Sequence, residues 1–459
     1  MTWTPPKPPN RPRMALLAGI FKRQGVSMLN LLPRAAYRVQ MGVARLAGKG
    51  LFLVNAPETV RHVMNECPAR YPKHHYIEDI LKPLIGVSLF NANGEQWHRQ
   101  RRLVEQAFVQ AALRRVFPVM LQAIDDMLAR VDEEVQNRGK AWEAEEAMGH
   151  VTADIIFRTI LSQPLGVVAA AGVHHAFRAY QAAAQRVMGL SALHLPTFWH
   201  RRKCRVMGTA IRESYAPLIR ARFAEWTAGK AGPDDMLATL MQATDPVSGM
   251  ALTETDLIDQ VGTLFLAGHE TSASTLAWAL YLLAHQPNWQ DAVRREANAL
   301  WCDRSPQFGD TRLLAQTHNV FRETLRLYPP IAFYVREAKD HACLREKPVK
   351  AGDMVVVSPW VVHRHEGHWT SPDTFDPDRF DKEGLSRAAY LPFGLGERAC
   401  PGAAFATQES VLILAKMVQR YEILPDPTHI PCPVARLTLR SGNGIVLKLK
   451  RLDKVHSVK

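Results

Sequence analysis

Apolar side chains recur at helical spacing through most of the region between residues 94 and 326. Stretches of this kind predict helices over residues 95–110, 111–137, 151–161, 177–188 and 208–227. A longer stretch begins at Thr253, a favourable N-cap, and ends at His285, shortly before Pro287. Because its middle is apolar on every side, we expect this helix to run buried through the centre of the molecule.

Shorter alternating patterns near both ends of the chain predict strands. These predicted strands are 37–44 and 50–54 near the N-terminus, and 331–338, 354–362, 437–440 and 445–450 further on. Helices are predicted from Pro57 to about Asn65 and over residues 403–420. No internal repeat or linker separates these segments, so the pattern indicates one large fold that is mainly α with small β-sheets, of the α+β class.

The composition of the 459 residues, 47% apolar and 22% charged, is that of a soluble globular protein. An excess of 57 Lys and Arg over 44 Asp and Glu gives a formal charge of +13, which suits an acidic protein partner, an anionic membrane surface or nucleic acid. The basic residues form only short runs, so no nucleic-acid partner is expected. Six dispersed cysteines without a C-x-x-C pair favour a reduced, cytoplasmic location.

An apolar run near the N-terminus, Met14–Phe21, has eight residues. A helix that spans a bilayer needs roughly 20, so no transmembrane anchor is expected. Packing of a short N-terminal helix is the preferred interpretation of this run. Peripheral membrane contact through it and through Met28–Leu32 is the alternative.

The most informative segment is 393–402, which reads F-G-L-G-E-R-A-C-P-G. Its glycines, Gly394 among them, allow a tight turn, and a predicted helix follows. Cys400 is therefore expected at a helix N-terminus, where free amides and the helix dipole stabilise a thiolate. Arg398 adds a positive charge that suits a carboxylate. A thiolate beside a glycine-lined shelf and an anion-binding arginine is suited to axial ligation of haem iron.

This segment resembles the haem-binding loop of the cytochrome P-450 family, whose pattern is F-x-x-G-x-R-x-C-x-G. The resemblance makes Cys400 the axial ligand of the haem iron and assigns Phe393, Gly394, Arg398 and Gly402 to haem binding. Three further motifs match the family in the expected order. The resemblance therefore covers nearly the whole chain.

The segment Ala267-Gly268-His269-Glu270-Thr271, in the middle of the long helix, is similar to the oxygen-activation motif of that family. Gly268 weakens the helix, and the Thr271 hydroxyl can bond to the carbonyl oxygen of Ala267. We expect a local groove in which dioxygen binds. The resemblance implies that Glu270 and Thr271 relay protons there.

Two further matches concern arginines. Glu323 and Arg326 are three residues apart on one helix face, and the resemblance adds Arg379 to form a buried cluster that supports the haem loop. The resemblance also implies haem-propionate contacts for four residues: Trp97, Arg101, Arg336 and Arg398.

The resemblance implies a haem-thiolate monooxygenase that inserts one oxygen atom from dioxygen into a lipophilic small molecule. Its cofactor would be haem b, and dioxygen would be its co-substrate. Electrons would come ultimately from NAD(P)H through a separate ferredoxin or flavodoxin-type partner, since no flavin or iron–sulfur motif accompanies the haem segment. We expect a monomer in which residues 37–459 form a single haem-binding catalytic domain and residues 1–36 a proline-rich segment with a short helix.

Alternatives on the same fold are a peroxygenase, an isomerase or dehydratase, and a non-enzymatic haem-binding protein. The intact Glu270–Thr271 pair favours oxygen activation. The partner is expected to dock near four arginines, Arg101, Arg102, Arg114 and Arg115.

The predicted substrate pocket is apolar, which favours a lipophilic substrate and leaves fatty acid, terpenoid, steroid and polyketide open. Its predicted lining includes Leu264, Phe265, Ile331 and Phe333. Arg440, near this pocket, could pair with a carboxylate, but a surface residue is the preferred interpretation.

Overall fold

The computed structural model describes residues 3–8, 27–46, 48–138, 141–166, 176–177, 179–187, 190, 196–301, 304–382 and 388–452. The predicted apolar run Met14–Phe21 lies outside these residues. The described parts of the N-terminal segment pack on the body of the protein. The ring of Trp3 stacks on His285 with a centroid distance of 4.5 Å, and the Tyr328 hydroxyl donates to the Pro6 carbonyl at 2.9 Å.

Helices form most of the described chain. They are α1 (Pro57–Arg61), α2 (His75–Ile85), α3 (Gly94–Glu105), α4 (Gln110–Arg138), α5 (Ala144–Leu161), α6 (Phe198–Thr227), α7 (Met236–Gln242), α8 (Glu254–Ala284), α9 (Pro287–Trp301), α10 (Ala315–Leu327), α11 (Pro359–Val362) and α12 (Ala403–Arg420). Residues 179–187 are also helical, within the predicted segment. Among the described residues, no single helix is long and apolar enough to cross a membrane. Helices α3 and α4, which meet at a bend of 55°, reach this length and apolar composition only when they are taken together.

The strands are short and form small sheets. They are β1 (Met41–Leu46), β2 (Lys49–Val54), β3 (Trp142–Glu143), β4 (Tyr334–Glu337), β5 (Ala342–Leu344), β6 (Lys347–Val349), β7 (Met354–Val357), β8 (Tyr421–Pro425), β9 (Pro433–Ala435), β10 (Leu439–Ser441) and β11 (Val446–Arg451). The largest sheet has the order β1-β2-β7-β4, in which only β2 and β7 are parallel. A second sheet has the order β3-β11-β8, and two pairs, β9–β10 and β5–β6, complete the set.

Four boundaries differ clearly from the predictions, among them the start of α5 at Ala144, seven residues before its predicted start. The strand predicted over residues 354–362 ends at Val357, because Pro359 begins α11 and the Ser358 side chain caps it. Helix α6 begins at Phe198, ten residues before its predicted start, and the predicted strand over 37–44 begins only at Met41. The other predicted elements lie within a few residues of those observed.

Helix α8 runs through the centre of the molecule, as predicted. Thr253 caps its start, and the Thr253 and Asp256 side chains each accept a hydrogen bond from the other residue's amide at 3.1 Å. Its most extensive contact is with α5. A Cβ atom at Gly268 would lie 3.1 Å from Ile156, so glycine is what allows α5 to pack this closely.

A buried ion-pair network joins α10 to the segment that precedes the Cys400 loop. Glu323 forms two hydrogen bonds of 2.7 Å with Arg326, and Arg379 donates to the same carboxylate at 3.0 Å. The remaining donors of both arginines bond to backbone carbonyls between His363 and Thr374. The carboxylate holds this loop by charge and by directed hydrogen bonds.

Replacement of this carboxylate tests the network. Glu323→Gln would leave two buried guanidinium groups without their counter-charge, so we expect the free energy of unfolding to fall by about 3–5 kcal/mol. Urea unfolding followed by circular dichroism measures this change. The matched control is Glu366→Gln, which removes the carboxylate of the exposed 2.9 Å pair with Arg38 and should cost less than about 1 kcal/mol. Equal losses in the two variants would contradict the assigned role.

Candidate active site

The loop that carries Cys400 turns back on itself directly before α12. Its sharp bends lie at Gly394 and Gly396, whose φ angles of +79° and +72° are readily adopted only by glycine. At Gly396 a Cβ atom would also lie 2.6 Å from the Met64 carbonyl oxygen. The Cys400 amide donates to the Phe393 carbonyl at 2.8 Å and closes the turn. The loop therefore presents the thiol shortly before the helix begins.

Several groups act on the protonation of the Cys400 thiol. Burial raises the pKa of the thiol, whereas the Gly402 amide, which donates to the sulfur, and the positive charge of Arg101 lower it. Burial is the largest of these effects. A stable thiolate at this place therefore needs a further positive partner, such as a metal ion.

Four cationic side chains converge beside the loop. Burial and the positive charges of Arg398, Arg336 and Arg101 lower the pKa of Lys73 well below its ordinary value. Burial and the charge of Arg398 also lower the pKa of Arg336 to about 10. Within the described chain, Nη1 of Arg398 has no hydrogen-bond partner. The cluster therefore fits an anionic group that carries more than one carboxylate.

Trp97 provides an aromatic face for this cluster. The Lys73 ammonium lies 5.8 Å and the Arg398 guanidinium 5.4 Å from the centroid of the Trp97 ring. Lys73 also donates to two backbone carbonyls, at 2.7 and 3.1 Å. Sequence reasoning identified Trp97, Arg336 and Arg398 but missed Lys73, since a single lysine in a loop forms no pattern.

The side chain of Arg101 contacts the backbone of the Cys400 loop. Its Nη1 donates to the carbonyl of Ala399 at 2.6 Å, and its Nε donates to Glu105 at 2.5 Å. Arg101 therefore braces the loop at the residue before Cys400. Its predicted propionate contact stays a prediction.

Beyond its first turn, α8 is least covered in its middle. Residues 265–268 and Thr271 are only half-buried, whereas their neighbours along the helix are buried. The Thr271 hydroxyl donates to the Ala267 carbonyl at 2.8 Å, as the sequence predicts. The helix is continuous through this region, so the predicted groove does not arise from a break in it. Among them, Ala267 and Thr271 are four residues apart and share one face of α8, which the protein covers only in part.

Glu270, beside this face, is held in a polar cage. Arg440 donates to its Oε2 at 2.6 Å, and Gln181 and Thr438 donate to the same oxygen at 3.3 Å. Nε2 of His269 lies 3.5 Å from Oε1. Arg440 is only 4% exposed, so its interpretation as a surface residue is wrong. Strand β10 lies against α8, and its arginine is buried because the Glu270 carboxylate supplies a counter-charge.

A second buried acid connects α8 to the helix that follows the Cys400 loop. The Ser272 hydroxyl donates to Glu409 of α12 at 3.3 Å. Burial raises the pKa of Glu409 well above its ordinary value, and Ser272 opposes this shift. This hydrogen bond fixes α12 beside Ser272, the residue next to Thr271.

The predicted pocket residues have different surroundings. Phe265 packs edge-to-face on Phe157 with a centroid distance of 6.3 Å, and Leu264 is buried in the core. Ile331 and Phe333 are half-buried before β4. Their contacts with a substrate stay a prediction.

The arginines of the predicted docking surface already have partners. Arg102 forms a 2.6 Å ion pair with the buried Asp245, and Arg115 forms one of 2.6 Å with Asp234. Arg114 lies over the Phe308 ring at 5.2 Å. These contacts leave less unpaired positive charge at this surface than the sequence indicates.

Comparison with known proteins gives consistent relatives. Residues 6–449 match the family model for cytochrome P-450. The chain is 30% identical over 437 residues to cyclooctatin synthase of Streptomyces melanosporofaciens, with 92% of this chain and 91% of that protein covered. It is 28% identical over 444 residues to protein LUTEIN DEFICIENT 5, chloroplastic, of Arabidopsis thaliana, with 90% and 72% covered. It is 26% identical over 429 residues to 11-oxo-beta-amyrin 30-oxidase of Glycyrrhiza uralensis, with 87% and 78% covered.

These matches confirm the predicted fold class, haem b, and the dependence on dioxygen and on electrons from NAD(P)H through partner proteins. They agree with a cysteine loop, a cationic cluster and a half-buried helix face that the structure places inside one body. The chain therefore belongs to the cytochrome P-450 family and is a haem-thiolate monooxygenase.

Proposed function

We propose that this enzyme inserts one oxygen atom from dioxygen into a C–H or C=C bond of a lipophilic small molecule. The observation that carries the proposal is the half-buried face of α8 around Thr271, on a helix tied to α12 through Ser272 and Glu409. Helix α12 directly follows the Cys400 loop. The lipophilic character follows from the apolar residues at 264, 265, 331 and 333.

The residues present fit haem, which, when bound, supplies the iron at which dioxygen is reduced and cleaved. Cys400 would be the iron ligand, and the bond to iron would supply a positive partner for its thiolate. Arg336, Arg398 and Lys73 would hold the two propionates, whose charges would relieve the repulsion among these cations. The Trp97 ring lies beside Lys73 and Arg398 and supports both side chains.

Glu270 and Thr271 move protons to the oxygen site. The Thr271 hydroxyl already donates to the Ala267 carbonyl, so its lone pairs are free to accept a hydrogen bond from a water or a ligand. Glu270 passes on protons that come from solvent water, and the contacts with Arg440, Gln181 and Thr438 hold its carboxyl group in place.

A separate ferredoxin or flavodoxin-type protein supplies the electrons in this proposal. The excess of basic residues favours an acidic partner. We also propose a monomer in the cytoplasm, in line with the free thiols of Cys67, Cys204, Cys343 and Cys400. The exposed Phe198 and Trp199 at the start of α6, beside Arg202 and Lys203, suit peripheral contact with a membrane.

The reduced carbon-monoxide difference spectrum of the purified protein tests the assigned ligand. We expect the Soret band of a thiolate-ligated haem, and a spectrum without this band would contradict the role of Cys400. Spin-state titrations with a fatty acid, a terpenoid, a steroid and a polyketide then identify the substrate class. Turnover with peroxide alone, at the rate of the system reconstituted with a reductase, would show a peroxygenase instead.

Thr271→Ala tests the proton relay. Without the hydroxyl we expect product formation to fall by about tenfold or more, while consumption of NAD(P)H continues. The ratio of product formed to NAD(P)H consumed measures the effect. Thr275→Ala, one turn further along α8, removes a hydroxyl that bonds only to the Thr271 carbonyl among the described residues and should keep the wild-type ratio. An unchanged ratio in Thr271→Ala would contradict the relay.

Arg440→Leu tests the cage around Glu270. The variant removes the cation from a buried carboxylate, so we expect the carboxyl to take up a proton and the pH profile of turnover to change. Arg440→Lys keeps the charge and should retain most of the wild-type profile. Identical profiles in all three proteins would show that Arg440 has no part in positioning Glu270.

Pro401→Ala tests how the backbone tunes Cys400. Proline has no amide hydrogen, so the residue after Cys400 donates no hydrogen bond to the sulfur, whereas Gly402 does. Fewer such bonds make the thiolate a stronger electron donor. We therefore expect a more positive reduction potential in Pro401→Ala, measured by spectroelectrochemical titration. An unchanged or lower potential would contradict this account.

A further inference from the structure

Two adjacent histidines and a glutamate meet at the edge of the largest sheet. His74 and His75 begin α2, and Glu337 ends β4. One ligand atom from each side chain lies within 4.8 Å of those of the other two. Two imidazoles and a carboxylate are a ligand set that zinc commonly takes in proteins.

Backbone contacts fix His74 and Glu337 relative to each other. The segment before α2 runs antiparallel to β4, with Lys73 opposite Arg336. The Glu337 amide donates to the Pro72 carbonyl at 3.0 Å, and the His74 amide approaches the Val335 carbonyl at 3.4 Å. These contacts place the three side chains together before any metal binds, which reduces the entropy cost of binding.

The side chains themselves need only small movements. Nδ1 of His75 already lies 2.7 Å from Oε2 of Glu337, and ligands of a tetrahedral zinc ion lie about 3.4 Å apart. The His74 ring, 3% exposed, stacks on Tyr76 and accepts a long 3.3 Å bond from the Tyr76 amide. Coordination through either ring nitrogen gives up this bond, whose length indicates a small loss.

Solvent can supply the remaining ligand. The side chains of His75 and Glu337 are 47% and 26% exposed, whereas His74 is buried. A metal ion at this place would thus have protein on one side and water on the other. The nearby cations Lys73 and Arg336 repel a divalent ion. The propionates that they would hold in the proposed function would weaken this repulsion.

We propose that His74, His75 and Glu337 bind one zinc ion, which joins the start of α2 to β4. The ion would thereby stabilise the strand-like pairing that places Lys73 beside Arg336. This site is separate from the haem iron, and its occupation does not depend on turnover.

Titration of the purified holoenzyme, free of any polyhistidine tag, with zinc chloride tests the proposal. Isothermal titration calorimetry should give one tight site per chain, and zinc should raise the melting temperature. The variants His75→Ala and Glu337→Gln should each weaken binding at least tenfold, while the carbon-monoxide spectrum confirms that they fold. His341→Ala, which removes an exposed histidine outside the cluster, is the control and should bind as the wild type does.

The anomalous scattering of zinc in crystals soaked with zinc chloride locates the ion directly. A peak among the three side chains would support the site. Weak zinc binding that is the same in the wild type and both cluster variants would overturn the proposal. So would a tight site located elsewhere on the surface.

Discussion

Burial of charge is the constraint on which the architecture of this protein depends. A charge inside the fold needs a counter-charge or hydrogen bonds to offset its loss of water, and two buried carboxylates of this protein have both. Glu323 is fully buried because two guanidinium groups surround its oxygens, and those groups in turn order the loop that leads to the cysteine segment. Glu270 is paired in the same way with Arg440. One network therefore orders the segment before the Cys400 loop, and the other joins α8 to β10.

The cationic cluster is organised differently. Lys73, Arg336 and Arg398 repel one another, and the nearest acid to Arg398 is Glu397, 3.5 Å from its Nε. In the function that we propose, the propionates of the cofactor would supply the missing negative charge, so the cofactor would complete the folded structure as well as the site. A negatively charged cofactor at this cluster would explain why a helix, a loop and a strand from distant parts of the chain all bring basic side chains to the Cys400 loop.

Sequence reasoning predicted the central helix and the Cys400 loop because both depend on local patterns. The cap at Thr253, the glycines at 394 and 396, and the motif around Thr271 each act over a few residues. Arg440 was wrongly interpreted as a surface residue, and Lys73 was missed. Both errors have one cause, because each residue lies far in sequence from the groups that surround it in the folded protein. A pairing across 170 residues leaves no periodicity in a single sequence.

The parallel pairing of β2 with β7 has a consequence for synthesis of the protein. Leu51 lies opposite Met354, so about 300 residues must leave the ribosome before the first hairpin gains its neighbour. At roughly 5–20 residues per second this takes about 15–60 s. During that time the edge of the hairpin is unpaired and open to other chains. Arg45 on β1 and Lys49 on β2 place positive charge on this hairpin, and like charges disfavour its pairing with the same hairpin of another chain.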